Sequence, residues 1–162
     1  MGDKKEIYNI LLVSLDEGFC KKVSSVLSSE IGTYFVDYKE LIEYDLINPK
    51  EILEKCGLEY LRKKERGVIA NSCDYRDTVF SINYDLYKQN YDLFKYSLIV
   101  YIRLETNLIE EVVNKIEEEN YDEFLKETSD IVIDMSKKDA KLAQQRICRK
   151  LGELLWIFVI RH

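Results

Sequence analysis

Five short apolar segments alternate along the chain with longer segments of helical periodicity, and this alternation constrains the fold more than any other feature. The first segment, Tyr8–Val13 (YNILLV), is typical of a parallel strand that is buried on both faces. Strands separated by helices form βαβ units, so we expect a mainly parallel five-stranded sheet in a three-layer α/β/α fold. The other strands are predicted at 33–37 (TYFVD), 78–82 (TVFSI), 97–102 (SLIVYI) and 130–134 (DIVID).

The segments between the strands follow helical spacing. Apolar residues recur at i, i+4, i+7, i+8 and i+12 from Phe19 to Ile31, and Gly32 is a typical residue to end that helix. No repeat, low-complexity tract or Gly/Ser/Pro-rich linker interrupts the chain, so we predict a single domain over residues 1–162. Further helices are predicted at 39–72, with breaks near Asn48-Pro49 and Gly57, at 107–126, and from residue 138 onward.

The composition indicates which kinds of binding partner and which cellular compartment to expect. A net charge of −6 over 162 residues argues against a general affinity for nucleic acid or for an anionic membrane. The longest apolar run, Leu154–Ile160, falls short of the roughly 20 residues that a membrane span needs, and we identify no signal peptide. Because the four cysteines are irregularly spaced without a C-x-x-C pair, we expect free thiols, no metal site and a cytoplasmic location; they are Cys20, Cys56, Cys73 and Cys148.

Histidine is almost absent, which removes a large class of enzymes. The one histidine is His162, at the end of the sequence. Hydrolases that use serine or cysteine as the nucleophile rely on an imidazole to activate it. The sequence therefore excludes Ser–His and Cys–His hydrolases.

The loop after the first strand is where a parallel α/β fold would bind phosphate. It runs from Ser14 to Lys22 (SLDEGFCKK) and differs from the phosphate-loop pattern G-x-x-x-x-G-K-[ST] in its key positions. It has one glycine, its two carboxylates would repel a triphosphate unless a metal intervened, and its two lysines come one and two positions too late. The residues of this degenerate phosphate loop (Walker A motif) are Ser14, Asp16, Glu17, Gly18, Cys20, Lys21 and Lys22.

The segment Tyr60–Glu65 (YLRKKE), followed by Val68-Ile69, resembles the F-R-x-x-E segment of the shikimate kinases, which are small P-loop kinases of about this length. The resemblance covers nearly the whole chain, and it implies the shikimate-kinase topology. In that family the arginine of this segment grips the carboxylate of shikimate. The resemblance therefore makes Arg62 and Glu65 candidate ligand-binding residues, together with Asp37, which matches the first acid of the family's D-x-D motif.

This sequence departs from the family pattern at the positions that carry the chemistry. Aligned on the phosphate loop, Cys20 takes the place of the lysine and Lys21 that of the metal-binding serine, while Glu17 and Phe19 replace glycines. Lys39 replaces the second acid of D-x-D. The family's triple-glycine loop becomes 83–85 (NYD), no arginine lies between Glu105 and Arg146, and the lid region reads 117–123 (EEENYDE).

Phosphoryl transfer depends on positioning and on stabilisation by lysine, arginine and magnesium. We therefore expect a catalytically inactive protein with no catalytic residue and no cofactor. It would act as a binding, regulatory or scaffolding module for a small anion or a protein partner, with Arg62 as the best candidate contact. Two alternatives stay open. One is a diverged kinase using ATP and magnesium, in which Lys21 or Lys22 reaches the phosphates and Asp16 or Asp37 holds the metal; the other is a receiver-like signalling domain.

Several features also have a purely structural interpretation. Asp16 and Glu17 could start a helix rather than line a metal or acidic pocket, and Arg62 and Glu65 could lie on a solvated helix face. The tyrosines from Tyr84 to Tyr101 are more typical of core packing than of a nucleotide platform. The acidic segment 105–127 favours a solvated face over a docking surface. The apolar C-terminal run predicts a homodimer contact through Leu154, Trp156 and Phe158.

Overall fold

The computed structural model describes residues 6–109 and 120–160, the last seven of them by their backbone alone. Five parallel strands form one sheet in the order β2-β3-β1-β4-β5. The predicted α/β fold with a parallel five-stranded sheet is confirmed. The strands are β1 Asn9–Val13, β2 Tyr34–Asp37, β3 Thr78–Ile82, β4 Ser97–Leu104 and β5 Ile131–Met135.

Helices connect these strands, and most begin at a side chain suited to cap them. Asp16, Asp37, Asn48 and Asn83 each accept a hydrogen bond from a backbone N–H in the first turn of the following helix. Gly32 ends the first helix with φ of 72°, a left-handed conformation that glycine adopts without strain. The helices are α1 Glu17–Ile31, α2 Tyr38–Leu46, α3 Pro49–Cys56, α4 Leu58–Ser72, α5 Tyr84–Asn90, α6 Tyr121–Thr128 and α7 Ala140–Ile160.

The predicted strand boundaries agree with the structure to within one residue, except at the end of the fourth strand. β4 extends two residues further than predicted, to Leu104. At its end, the side chains of Ile102 and Leu104 are buried in the core, while that of Arg103 between them is partly exposed. The helix predicted at 107–126 is wrong at its start, since Thr106–Leu108 forms a 3₁₀ turn, and it is helical from Tyr121. Residues 110–119 of that prediction lie outside the described residues.

The core lies on both faces of the sheet. Every residue of β3 is buried, so helices cover both of its sides; α1 packs on α7, and α2 packs on α4. Phe80 of β3 stacks on Tyr38 of α2, with ring centroids 4.6 Å apart. Of the tyrosines from Tyr84 to Tyr101, three are buried and two lie partly in solvent, so the core-packing interpretation describes most of the series; the buried ones are Tyr84, Tyr87 and Tyr101.

The strand order distinguishes between two of the candidate fold families. Receiver-like domains have the order 2-1-3-4-5. Here β3 lies between β2 and β1, so the receiver-like alternative is wrong.

The C-terminal part of α7 bears on two predictions. The side chains of Leu154, Trp156 and Phe158, which carry the predicted homodimer contact, lie outside the described residues. None of the helices in the described ranges combines the length and the apolar character that crossing a bilayer requires.

Candidate functional site

The carboxyl ends of β1, β2 and β3 form the edge of the sheet where parallel α/β proteins bind ligands. The connections that leave this edge carry most of the residues predicted from the sequence. They contribute Asp16 after β1, Asp37 at the end of β2 and Asn83 after β3. The residues that the sequence analysis singled out after β1 and β2 therefore lie at this edge of the sheet.

The connection from β1 to α1 is a short turn rather than a cradle. Three residues separate the strand from the helix, and Asp16 caps the helix by accepting a hydrogen bond from the N–H of Phe19 at 2.9 Å. The loop predicted over Ser14 to Lys22 is thus too long, because the helix already begins at Glu17. An aspartate at the cap followed by a glutamate in the first turn favours this early start.

Asp16 makes a second contact with the opposite side of the site. Its Oδ2 lies 2.7 Å from Nζ of Lys138, in the connection between β5 and α7. Partial burial opposes ionisation of Asp16, but the hydrogen bond from Lys138 and the N–H of Phe19 outweigh it, so the pKa of this carboxyl lies below its usual value. The protein's own carboxylate therefore occupies the anion-binding position at the N-terminus of α1.

Gly18 and Cys20, which follow the turn at the start of α1, show how this end of the helix is packed. Cys20, aligned with the kinase lysine, is 1% exposed and donates its S–H to the carbonyl oxygen of Leu12 at 3.3 Å. Burial raises the pKa of this thiol to about 12, so it stays neutral. A Cβ at Gly18 would meet Oδ1 of Asp16 at 3.7 Å, an ordinary contact, so no close backbone approach requires glycine there.

Two lysines near the turn form ion pairs between α1 and α2. Lys21 of α1 pairs with Glu40 of α2, and Lys39 of α2 lies 3.6 Å from the carboxylate of Glu17. These two pairs link the first turns of the two helices. Lys22 is exposed on α1.

Asp37 also has both carboxylate oxygens engaged by the protein. Oδ2 accepts the N–H of Glu40 at 3.1 Å as the cap of α2, and Oδ1 accepts the hydroxyl of buried Ser81 at 2.6 Å. Asp37 borders a cleft of about 330 Å³ that has four carboxylates and two lysines in its walls. Its lining is Glu17, Gly18, Lys21, Asp37, Lys39, Glu40, Glu43, Ser81, Ile82 and Asn83.

Arg62 and Glu65 lie on α4 beside the first turn of α5. Burial raises the pKa of Glu65, the charge of Asp85 adds to this effect, and the charge of Arg62 opposes it. The three groups are therefore neighbours. Within the described residues the exposed guanidinium of Arg62 makes no hydrogen bond or ion pair, so it is accessible to an anion.

Residues 83–85, which the resemblance aligns with a triple-glycine loop, lie at the start of α5. Asn83 caps α5 by accepting the N–H of Leu86 at 2.8 Å. The buried ring of Tyr84 packs edge-on against Tyr121 and Phe124, each at 6.4 Å between centroids.

A second cleft, of about 670 Å³, lies at the carboxyl ends of β4 and β5, and the sequence did not identify it. Arg103 binds Asp122 through Nε at 2.9 Å and approaches Asp134 at 3.3 Å, and the hydroxyl of Tyr101 donates to Asp122 at 2.8 Å. Burial opposes ionisation of Asp122, yet these donors hold its pKa below the usual value. Tyr101 and Arg103 are two positions apart in β4 and therefore lie on the same face of the strand. Had the predicted strand extended past residue 102, it would have placed these two polar side chains together.

We also searched the structure for side chains grouped so that they could bind a metal ion. Within residues 6–109 and 120–160, no three histidine, cysteine or carboxylate side chains are grouped so that they could hold a metal ion.

Removing the Asp16 carboxylate should destabilise the fold at neutral pH. We expect Asp16→Ala to lower the free energy of unfolding by about 1–2 kcal/mol at pH 7, the usual cost of losing such a cap. Because the pKa of Asp16 is lowered in the folded state, its contribution exists above the unfolded pKa of about 4 and disappears as the pH falls through the lower folded value. Urea unfolding at pH 7 and below about pH 3 measures both effects.

Two further variants separate the parts of this effect. Lys138→Met removes the ion pair and leaves the cap, so it should cost less than Asp16→Ala. Asp45→Ala, at an exposed position near the end of α2, should change the stability by less than about 0.5 kcal/mol. An Asp16→Ala variant that is as stable as the parent at pH 7 would contradict the assigned cap.

Solved structures show what this arrangement resembles. The shikimate kinase from Acinetobacter baumannii, in complex with shikimate, matches with a TM-score of 0.73 and 19% identity over 92% of this chain and 95% of that one. The shikimate kinase from Aquifex aeolicus matches with a TM-score of 0.72 and 18% identity over 89% and 96% of the two chains. The shikimate kinase from Bacteroides thetaiotaomicron matches with a TM-score of 0.65 and 13% identity over 91% of this chain and 98% of that one.

Comparisons by sequence add nothing to this likeness: no model of a protein family matches the chain, and no curated protein does. The structural likeness spans nearly the full length of both chains and agrees with the resemblance found around Arg62. The protein therefore has the α/β fold of the shikimate kinases.

Proposed function

We propose that this protein is a catalytically inactive member of the shikimate-kinase fold that acts as a binding, regulatory or scaffolding module. One observation carries the proposal: the carboxylate of Asp16 caps α1 and pairs with Lys138 at the position where a kinase of this fold would hold phosphate. A carboxylate of the protein thus takes the place that a bound phosphate would have.

ATP and magnesium do not fit the residues around this turn. A triphosphate needs several backbone N–H groups and a lysine directed at it, whereas here α1 begins at Glu17 and Cys20 is buried against Leu12. The two candidate carboxylates for magnesium are those of Asp16 and Asp37, and both accept hydrogen bonds from the protein. We therefore propose that the protein functions without a cofactor.

Arg62 is an accessible cation near the position at which the resembled kinases grip their substrate. Its guanidinium has no hydrogen-bond or ion-pair partner within the described part of the chain, so it is the best candidate to contact a small anion. The neighbouring Glu65 and Asp85 would weaken binding of a strongly charged ligand by repulsion. We therefore propose a weak contact with a carboxylate at this position, or a contact with a protein partner.

Titration with Mg·ATP tests the proposal directly. We expect no heat in calorimetry and no amide shift at residues 14–22 in NMR spectra with up to about millimolar Mg·ATP, and no phosphorylation of shikimate. Micromolar binding of ATP, or phosphorylation of shikimate, would refute it. As a positive signal from the other position, shikimate alone should shift amides near Arg62, and Arg62→Ala should remove that shift.

The diverged-kinase alternative makes the opposite prediction for the two lysines of α1. If Lys21 or Lys22 held phosphate, the Lys21→Ala, Lys22→Ala double variant would lose nucleotide binding that the parent protein has. We expect instead that parent and variant behave alike towards Mg·ATP, because Lys21 already pairs with Glu40.

A further inference from the structure

The cleft of about 670 Å³ at the carboxyl ends of β4 and β5 has the size of a small-molecule site. We call it the β4–β5 cleft, and its walls include Leu104, Glu105, Asp134, Met135 and Arg146. It lies at the edge of the sheet where parallel α/β proteins bind ligands, and the function proposed above uses none of these residues. Which ligand it fits depends on which charges in its walls are left without a partner.

Part of the charge in the β4–β5 cleft is already neutralised within the protein. Arg103 holds both carboxylate oxygens of Asp122, with Nε 2.9 Å from Oδ1 and Nη2 3.1 Å from Oδ2. Its Nη1 lies 3.3 Å from Oδ1 of Asp134, the residue opposite it in the register of β4 and β5. Lys126 lies 3.4 Å from Oδ2 of Asp122. All three nitrogens of Arg103 are engaged, so we assign this residue to the wall of the cleft rather than to ligand binding.

Arg146 is a second cation in the cleft, and it keeps hydrogen-bond donors for a ligand. Its side chain is partly buried, its Nη1 donates to the backbone carbonyl oxygen of Asp134 at 2.6 Å, and the same nitrogen lies 3.4 Å from Sδ of Met135. These contacts fix the guanidinium in place. Among the described residues, Nε and Nη2 of Arg146 make no hydrogen bond or ion pair. That edge of a guanidinium binds a carboxylate through two parallel hydrogen bonds.

Two carboxylates beside Arg146 disfavour a ligand that is only an anion. The carboxylate of Asp134 is exposed, and its Oδ2 has no partner in the part of the chain that the structure describes. Glu105 is also exposed and unpaired within those ranges, and its N–H donates at 3.2 Å to the carbonyl oxygen next to the one that Arg146 binds. Lys137 and Lys138 follow in the connection to α7 but do not line the cleft, and Lys138 forms the ion pair described above. The cleft therefore offers a cation and two carboxylates to a ligand that carries both signs of charge.

We propose that the β4–β5 cleft binds a zwitterionic α-amino acid with an aliphatic side chain. The ligand's carboxylate binds Nε and Nη2 of Arg146, and its ammonium group lies between the carboxylates of Asp134 and Glu105. One carbon atom separates the two charged groups of an α-amino acid, and Arg146 is anchored on the backbone of Asp134 itself. The aliphatic side chain faces the apolar part of the lining, Leu104 and Met135. The site shares no residue with the turn after β1 or with α4, so it goes beyond the function proposed above and is tested separately.

Calorimetry with three ligands of one carbon skeleton tests this proposal at pH 7. The probe is L-leucine; 4-methylpentanoate lacks its ammonium group, and 3-methylbutylamine lacks its carboxylate. We expect leucine to bind at least about tenfold more tightly than either, because each charged group adds charge-assisted hydrogen bonds. In NMR spectra, leucine should shift amides at 103–107, 121–122, 134–136 and 146.

Four outcomes of these titrations would overturn the proposal. They are an absence of binding at millimolar leucine, similar affinities for the three ligands, amide shifts confined to other parts of the sheet, and tighter binding of AMP than of leucine at the same amides. None of them would alter the expectation that Mg·ATP leaves residues 14–22 unchanged, so the two proposals fail independently.

Matched arginine variants connect the binding to the cleft. Arg146→Gln should weaken leucine about tenfold and bring its affinity close to that of 3-methylbutylamine, since the carboxylate loses its partner. Arg149→Gln is the control, because Arg149 lies on the same helix, is exposed and does not line the cleft. A folded Arg146→Gln variant that binds leucine as the parent does would refute the assignment.

A second variant keeps the test decisive if Arg146→Gln fails to fold. Asp134→Asn removes a carboxylate from an exposed position and leaves the backbone carbonyl that anchors Arg146. We expect this variant to bind leucine more weakly and 4-methylpentanoate more tightly than the parent protein, because the ammonium loses a partner and the anion loses a repelling charge. An unchanged ratio of the two affinities would reject the role of Asp134 and with it the zwitterion site.

Discussion

Cys20→Lys should lower the free energy of unfolding by about 3–5 kcal/mol and should not create nucleotide binding. The substitution restores the lysine of the phosphate-loop pattern to its aligned position. In this protein that position is buried, and the thiol faces the carbonyl oxygen of Leu12. Burying an ammonium at this position costs several kcal/mol, and the larger side chain would also overpack the space between α1 and the sheet.

Urea unfolding followed by circular dichroism measures this loss, and two variants separate its causes. Cys20→Met tests the size alone and should cost about 1–3 kcal/mol. Ser25→Lys places the same charge at an exposed position of α1 and should change the stability by less than about 0.5 kcal/mol. A Cys20→Lys variant that is stable and binds Mg·ATP would show that the turn can rearrange into a phosphate loop, against the proposed function.

Phe80→Ala should cost about 3–5 kcal/mol, because it opens a cavity in the most enclosed strand of the sheet. Phe80 is fully buried in β3, between β2 and β1, and its ring stacks on Tyr38 and lies 6.2 Å from that of Tyr75. The loss includes the transfer of the ring from the core and the contacts that α2 would no longer make.

Chemical denaturation of Phe80→Ala can be compared with a matched aromatic truncation at the surface. Tyr44→Ala removes a ring that is 82% exposed, so it should stay within about 0.5 kcal/mol of the parent protein. If Phe80→Ala lost less than about 1 kcal/mol, the packing of α2 on β3 described here would be wrong.

Much of the fold was predictable because its signals are local. Continuous apolar runs identified all five strands to within a residue or two, and Asn48-Pro49 and Gly57 marked two helix boundaries correctly. The segment after β4 was harder, since its acidic composition is equally compatible with a helix and with a turn, and the structure has a 3₁₀ turn at Thr106–Leu108.

The candidate site was predictable in its position and less so in its contacts. The sequence showed which residue types the turn after β1 lacks, and it included a helix start at Asp16 among its interpretations. It could not show that Lys138 reaches Asp16, or that Arg103 and Tyr101 converge on Asp122. These partners are far apart along the chain, and only the folded sheet brings them together.

By itself, the sequence determined that the chain forms a parallel α/β sheet and that the turn after β1 lacks the glycines and lysine of a phosphate loop. Both conclusions depend on residue types within a few positions of one another, where periodicity and backbone preference act directly. Only the tertiary structure decided the strand order, the occupation of the α1 terminus by Asp16 and the contact of Arg103 with Asp134. These depend on which strands lie side by side, since pairing across the sheet places distant residues within hydrogen-bonding distance.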